Sequence, residues 1–229
     1  MKKKAQTLIT AHAGPDGTLD NSLESIDYIL ETKADALELD VRYDSEKDRL
    51  VLAHDPELAS DVVTAEMAFT KIAKHPSMRI NCDLKEGGLE HKVYALAKDY
   101  GIEDRLIYTG AADPANCQAL PIKLFLNVEY FADGDEDKKA FLALPAKERD
   151  EQIRELYPKL REMPVFALNT PYIIFSEDFF TKDEDKSFPL SLWTVDEEQL
   201  LRRFIERKVY AITTRTLQKA LDIRDTLET

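Results

Sequence analysis

ADALELDV, residues 34–41, has the alternation of a β-strand, yet it carries two carboxylates near its end. The leucines and the valine fall on one face of such a strand, and Glu38 and Asp40 fall on the other. In an open sheet the acidic face could simply lie in water. In a closed parallel barrel it would point inward near the strand's end, where the active sites of such barrels lie. The other strands decide between these two possibilities.

Short apolar runs of this kind recur along the chain, mostly separated by segments with helical periodicity. Nine runs are predicted to be strands: Leu8–His12, Ala36–Arg42, Leu50–His54, Met78–Lys85, Leu106–Thr109, Leu124–Glu129, Val165–Asn169, Leu190–Val195 and Tyr210–Thr213. The predicted helices include Ser22–Thr32, Glu90–Tyr100, Glu197–Lys208 and Leu217–Leu227. Asn21 or Ser22 is expected to cap the first of these helices, and Asp196 the third. The alternation predicts βα units and a parallel sheet.

An eight-stranded barrel has one strand fewer than the runs counted above. The second and third runs are joined by residues 43–49, a polar connection too short for a crossover helix. We interpret the third run as a hairpin-like extension of the second strand. The prediction is a single-domain TIM (β/α)8 barrel over residues 1–229. The richly charged segment from Phe131 to Met163 is expected to be a helical insertion after the fifth strand.

Composition narrows the function classes. The net charge is −13, from 31 basic and 44 acidic residues, and this argues against a nucleic-acid binder. Only Cys82 and Cys117 occur, so neither a disulfide framework nor zinc-ligand spacing is present. The basic start is followed by too short an apolar run for a signal peptide, and no run approaches a membrane span. We expect a cytoplasmic protein that does not act at a membrane.

The same alternation brings polar side chains from several strands to one mouth of the predicted barrel. The inward residues at these strand ends are His12, Asn81, Asp83, Lys85, Asn127, Glu129 and Trp193. Three carboxylates that meet in a closed site repel each other unless a cation compensates for their charge. Hard oxygen ligands suit Mg²⁺ or Ca²⁺. We therefore predict that Glu38, Asp40 and Asp83 hold one divalent cation.

Two of the four histidines follow predicted strands. His12 ends the first strand, and His54 precedes a predicted turn at Asp55. Imidazoles beside a cation can serve as base and acid in one displacement, because their pKa values are near neutral pH. His75 and His91 have polar surroundings, and no catalytic role is predicted for them.

The predicted catalytic and cation-binding residues belong to motifs that occur in order over almost the whole chain. They are AHAG (11–14), LDNS (19–22), ELDV (38–41), AHDP (53–56), DLK (83–85), WTVD (193–196) and AITT (211–214). The set resembles the glycerophosphodiester phosphodiesterase family, whose barrel belongs with the phosphatidylinositol-phospholipase-C-like phosphodiesterases. The corresponding family motifs are H-R-G, P-E-N-T, E-L-D-V, H-D-P, E-x-K, W-T-V-N and G-I-I-T-D.

The resemblance implies a hydrolase that cleaves a glycerophosphodiester into an alcohol and glycerol 3-phosphate. His12 and His54 would be the acid–base pair, and the three acids would hold the cation. Lys85 would contact the phosphate, and Trp193 would wall the alcohol portion. Asn127 and Glu129 are further candidates for substrate binding. The implied partner is a small phosphodiester; the sequence indicates no nucleic acid, no membrane and no particular oligomeric state.

The chain departs from the family motifs at four positions. Ala13 stands where the family has arginine, a principal phosphate clamp. Asp20 and Asp83 stand where it has glutamate, and Thr214 stands where it usually has aspartate. Two alternatives therefore remain open. One is a barrel without catalysis, or with altered specificity, that binds an anionic ligand. The other is a lyase that releases a cyclic phosphate.

Overall fold

A computed structural model of the chain describes residues 6–228, with the side chains of residues 183, 184 and 228 left aside. The strands of the described part are β1 (Leu8–Ala11), β2 (Ala36–Asp44), β3 (Arg49–Leu52), β4 (Arg79–Leu84), β5 (Leu106–Gly110), β6 (Lys123–Asn127), β7 (Ala167–Pro171), β8 (Leu190–Trp193) and β9 (Ala211–Thr214). The α-helices are α1 (Leu23–Leu30), α2 (Ala65–Ile72), α3 (Glu90–Asp99), α4 (Pro114–Cys117), α5 (Gly134–Ala143), α6 (Ala146–Arg161), α7 (Glu198–Glu206) and α8 (Leu217–Glu228). None of these helices is both long enough and apolar enough to cross a membrane.

Eight of these strands form a closed parallel barrel. The strand order is β1-β9-β8-β7-β6-β5-β4-β2-β3, and an additional β1–β2 pairing closes the ring. The remaining strand, β3, pairs antiparallel with β2, from Val41 opposite Leu52 to Asp44 opposite Arg49. The predicted TIM barrel is confirmed, with β3 outside the ring as an extension of β2.

The two faces of the barrel strands meet different surroundings. Leu37, Leu39 and Val41 are buried in a core that includes Ile26 of α1 and Phe69 of α2. The inward side has a separate small apolar cluster, Ala36, Ile107, Phe125, Ala167 and Ala211. Ala36, Ala167 and Ala211 begin their strands, and all five residues precede the polar inward residues of the same strands, which lie above them toward the opposite mouth.

The helices α5 and α6 form an insertion between β6 and β7. In α6 the buried side chains are Asp150, Ile153, Tyr157 and Leu160. Asp150 accepts hydrogen bonds from the backbone N–H of Ser176, at 3.0 Å, and from its hydroxyl, at 2.5 Å. This attaches α6 to the loop after β7.

The helix caps differ in part from the prediction. Ser22 caps α1 by accepting a hydrogen bond from the N–H of Ser25 at 3.0 Å. The prediction that Asp196 caps α7 is wrong, because the residue that precedes α7 is Glu197 and it makes no side-chain cap bond. Asp196 instead accepts from the Arg215 N–H at 2.6 Å and the Thr214 hydroxyl at 3.1 Å. These donors come from the end of β9 and the first residue after it.

Candidate active site

Three acids meet where β2 and β4 lie side by side. Parallel pairing places Asp40 opposite Asp83, and Glu38 one inward position below Asp40. One carboxylate oxygen from each of the three lies within 4.8 Å of the other two. Glu38 and Asp40 are 8% and 1% exposed, so the cluster is largely removed from water.

Burial makes ionisation of this cluster costly. It raises the pKa of Glu38 well above its ordinary value, and the negative charges of Asp83 and Asp40 raise it further. Burial also raises the pKa of Asp83, although the charge of Lys85 opposes the change. The acids therefore need positive charge beside them in order to be ionised together.

Lys85 supplies part of that charge. Its Nζ lies 2.8 Å from Asp40 Oδ1 and 2.5 Å from Asp83 Oδ2. Burial disfavours the ammonium, but the carboxylates of Asp83 and Asp40 overcome this and raise its pKa. Three carboxylates against one ammonium leave two negative charges, the amount that one divalent cation balances. Buried oxygen ligands of this kind fit Mg²⁺ or Ca²⁺.

Neutral side chains hold these acids in place. Asn21 donates to Asp40 Oδ2 at 2.7 Å and accepts from the Asp40 N–H at 3.0 Å. Asn81 donates to Glu38 Oε2 at 3.2 Å, and Thr109 donates to Asn81 at 3.1 Å. The sequence indicates Asn21 only as a member of the motif LDNS and as a candidate cap of α1. It does not indicate that Asn21 binds Asp40.

The absence of a side chain at Gly110 leaves room for the Asp83 carboxylate. Gly110 ends β5 with φ +72, and a Cβ there would overlap both Asp83 Oδ1 and the Leu84 carbonyl. The end of β5 is therefore shaped around the carboxylate.

His12 lies beside the acid cluster. Its Nε2 is 3.6 Å from Glu38 Oε1, and 15% of its side chain is exposed. Burial lowers the pKa of His12, and the positive charge of Arg215 lowers it further. The neutral ring, which can accept a proton, therefore predominates near neutral pH.

His54 lies on an exposed turn after β3, with 66% of its side chain accessible. The Ala53 N–H donates to the Asp40 carbonyl at 3.0 Å, so this turn begins beside the end of β2. Arg42 Nη2 donates to the His54 carbonyl at 2.8 Å, and the His54 ring lies 2.9 Å from Asp55 Oδ1.

Trp193 and Asn127, which are also predicted to bind substrate, differ in their hydrogen bonding. Trp193 ends β8 and is half-buried, with no partner for Nε1 among the described residues. Asn127 Oδ1 accepts from Asn169 at 2.8 Å and from the Gly110 N–H at 3.4 Å, so it ties strand ends together.

The expectation that Glu129 continues the strand alternation is wrong. β6 ends at Asn127, and Val128–Phe131 form a 3-10 turn. Glu129 lines a mostly apolar cavity of about 510 Å³, together with residues of α5 and α6 such as Phe141 and Ile153. The turn carries its side chain toward the helical insertion.

A second charged pair lies at the same mouth. Arg215, in the loop after β9, donates from Nη1 and Nη2 to the two oxygens of Asp20, each at 2.9 Å. Neither residue was among the site residues predicted from the sequence. Asp20 lies within LDNS and Arg215 directly follows AITT, but no local pattern pairs residues from opposite ends of the chain.

Comparison with known proteins relates the chain to others through its fold. No family model and no curated protein match the sequence. A glycerophosphodiester phosphodiesterase from Parabacteroides distasonis is 18% identical, over 99% of this chain and 100% of that one, with a TM-score of 0.72. A phosphodiesterase from Oleispira antarctica, in complex with the product sn-glycerol-3-phosphate, is 16% identical over 96% and 97%, with a TM-score of 0.68. The chain has the fold of these phosphodiesterases.

Fold likeness of this degree extends beyond one chemistry. An N-(5'-phosphoribosyl)anthranilate isomerase from Pyrococcus furiosus is 10% identical over 96% of this chain and 99% of that one, with a TM-score of 0.56. Because the barrel supports many reactions, the function has to be argued from the site.

Proposed function

We propose that this chain is a metal-dependent phosphodiesterase that hydrolyses a small glycerophosphodiester to an alcohol and glycerol 3-phosphate. The observation that carries the proposal is the cluster of Glu38, Asp40 and Asp83, buried beside Lys85 and His12 at the C-terminal mouth of the barrel. Cleavage of a phosphodiester requires cationic charge around its oxygens. At this mouth the three acids would hold a divalent cation beside the Lys85 ammonium.

Glu38, Asp40 and Asp83 would hold one Mg²⁺ or Ca²⁺. When bound, such an ion supplies positive charge that stabilises the negative charge on the phosphoryl oxygens. Lys85 keeps its ammonium next to two of the ligands, where it would add a further positive charge facing the phosphate. Asn21 and Asn81 would hold the acids in a constant geometry while the substrate changes.

The two histidines would move the protons. His12, neutral and next to Glu38, would accept the proton of the attacking hydroxyl or water at Nε2. His54 would donate a proton to the leaving alcohol oxygen, and its exposed turn is open to an alcohol that projects into solvent. Trp193 would form part of the wall around the alcohol.

The solved phosphodiesterases support this assignment by their fold, and one of them contains sn-glycerol-3-phosphate. The net charge of −13 favours a diester of headgroup size over a lipid within an anionic membrane. The sequence has two cysteines and no disulfide framework, which favours action in the reducing cytoplasm.

Two other functions remain as competitors. A non-catalytic barrel that binds an anionic ligand is favoured by Ala13, which is 2% exposed and offers no side-chain donor to a phosphate. A lyase would instead release a cyclic phosphate by attack of a hydroxyl within the substrate. Phosphorus NMR of the product separates hydrolysis from this lyase reaction, because open and cyclic phosphate esters resonate differently.

The test is an activity matrix of glycerophosphodiesters against Mg²⁺, Ca²⁺ and a chelator. We expect turnover that requires a divalent cation and falls about 10²- to 10⁴-fold in His12→Ala and in His54→Ala. His91→Ala is the matched control, because His91 is an exposed residue of α3 and should leave turnover unchanged. Metal-independent turnover, or none on any diester, would reject the proposal.

A further inference from the structure

We propose that Arg215 provides the guanidinium that binds the substrate's phosphate, a task that Ala13 cannot perform. This inference rests on the proposed function. It assigns phosphate recognition to the loop between β9 and α8, which the sequence motifs did not indicate. Three structural features support it: the register of the loop, the geometry of the guanidinium, and the engagement of the other cations.

The first feature is register. In the parallel pairing of β1 with β9, Ala11 lies opposite Thr214, so Arg215 follows at the level of His12. The His12 N–H donates to the Thr214 carbonyl at 2.9 Å, and the Asp16 N–H donates to the Arg215 carbonyl at 2.7 Å. The backbone of Arg215 is thus bonded directly to the loop that carries His12.

The second feature is the guanidinium itself. Asp20 binds its end through Nη1 and Nη2, and 42% of the Arg215 side chain is exposed. A guanidinium has a second edge, formed by Nε and Nη2, that can bind another oxyanion with two hydrogen bonds. Asp20 therefore aims the side chain without using all of its donors. Gly14 allows this arrangement, because a Cβ at that position would overlap the Asp20 carboxylate.

The third feature is that two other cations, Lys85 and Arg42, have partners of their own. The Lys85 ammonium contacts both Asp40 and Asp83, and the Arg42 guanidinium holds the His54 carbonyl. Ala13 is buried and contributes only its backbone, whose carbonyl accepts from Asn21 and Ser25. Arg215 combines a partly exposed guanidinium with a backbone hydrogen bond to Asp16, in the loop that carries His12.

A purely structural ion pair is the competing explanation, and its consequences differ. A half-exposed pair such as Arg215–Asp20 contributes only about 0–1 kcal/mol to stability. Removing the guanidinium should therefore leave the melting temperature almost unchanged under either explanation. Phosphate recognition additionally predicts a large loss in binding and turnover.

The experiment compares Arg215→Gln and Arg215→Lys with wild type and with Arg202→Gln. Arg202 is an exposed residue of α7, so its substitution removes one positive charge away from the mouth. Two quantities are measured: kcat/KM on glycerophosphocholine with Mg²⁺ or Ca²⁺, and the Kd of glycerol 3-phosphate by calorimetry. We expect Arg215→Gln to lose about 10- to 100-fold in both, with a smaller loss in Arg215→Lys. Arg202→Gln should match wild type.

The binding measurement separates this inference from the proposed function. If wild type binds glycerol 3-phosphate without hydrolysing any diester, and Arg215→Gln weakens that binding, the role of Arg215 stands although catalysis is rejected. If Arg215→Gln retains the wild-type Kd and, where turnover exists, the wild-type kcat/KM, the role of Arg215 is overturned. A loss of equal size in Arg202→Gln would also overturn it, because net charge would then explain the effect.

Discussion

Asp40 is 1% exposed, the most buried of the three acids, and both of its oxygens have partners. Lys85 contacts Oδ1 at 2.8 Å, and Asn21 donates to Oδ2 at 2.7 Å. A second bond, from the Asp40 N–H to Asn21, fixes the amide of Asn21 in one orientation. At the scale of single residues, the geometry of the proposed metal site therefore depends on neutral neighbours as well as on its ligands.

Asn21→Ala should weaken binding of the divalent cation about 10- to 100-fold, because partners that orient metal ligands have effects of this size. It should also lower the free energy of unfolding by about 1–3 kcal/mol, since it leaves a buried carboxylate oxygen without its donor. Calorimetric titration with Mg²⁺ or Ca²⁺ and urea unfolding measure the two quantities.

The neighbouring Ser22 provides the matched control. Ser22→Ala removes the cap of α1 and should cost about 1 kcal/mol of stability, with cation affinity unchanged. If the two variants weaken cation binding equally, Asn21 acts only through the stability of the β1–α1 loop, and its orienting role is wrong.

At the scale of elements, the ends of the strands decide which side chains reach the site. The alternation within β2 and β4 places Glu38, Asp40 and Asp83 on the inward face. The same reasoning fails for Glu129, because β6 ends two residues earlier and a 3-10 turn redirects the chain. The predicted cap at Asp196 fails for a different reason, because its carboxylate accepts from the Thr214 hydroxyl at the end of β9 and from the Arg215 N–H that follows. Alternation is a property of a strand and stops with it.

The end of β5 offers a prediction at this scale. Gly110→Ala should lower the free energy of unfolding by about 3 kcal/mol, because the new Cβ adds overlap with Asp83 and Leu84 to a strained positive φ. Since the overlap displaces Asp83, binding of the divalent cation should weaken as well. Urea unfolding and calorimetry again provide the measurements.

Gly101 is the comparison for this variant. It has a similar φ of +66, but an added Cβ meets no atom of the described residues within 4 Å. Gly101→Ala should cost only about 1 kcal/mol, from the backbone conformation alone, and should leave cation binding intact. Equal losses in the two alanine variants would mean that the end of β5 is not shaped around Asp83.

At the scale of the whole molecule, closure of the barrel concentrates acidic groups in a chain that already carries a net charge of −13. Burial and the neighbouring negative charges raise the pKa of Glu38, and burial raises the pKa of Asp83. Between the ordinary and the raised pKa values, the folded state binds more protons than the unfolded state. The contribution of these acids to stability therefore falls as pH rises through that window.

A divalent cation should reverse this trend, because it binds the deprotonated acids. We expect Mg²⁺ or Ca²⁺ to raise the melting temperature more at about pH 8 than at about pH 5. Sodium chloride of equal ionic strength is the control for general screening of the net charge. The same titration on Asp40→Asn should show a much smaller shift. A metal-induced shift that is equal at both pH values, or equal in Asp40→Asn, would contradict binding at this cluster.

The sequence by itself determined the βα alternation, the exclusion of β3 from the ring, and the face on which Glu38, Asp40 and Asp83 lie. These features follow from the two-residue period of a strand and from the length of its connections, which are local properties. Only the tertiary structure decided that Asn21 binds Asp40 and that Arg215 lies level with His12. The first depends on the pairing of β1 with β2 and the second on the pairing of β1 with β9, and the register of both pairings depends on packing around the whole ring.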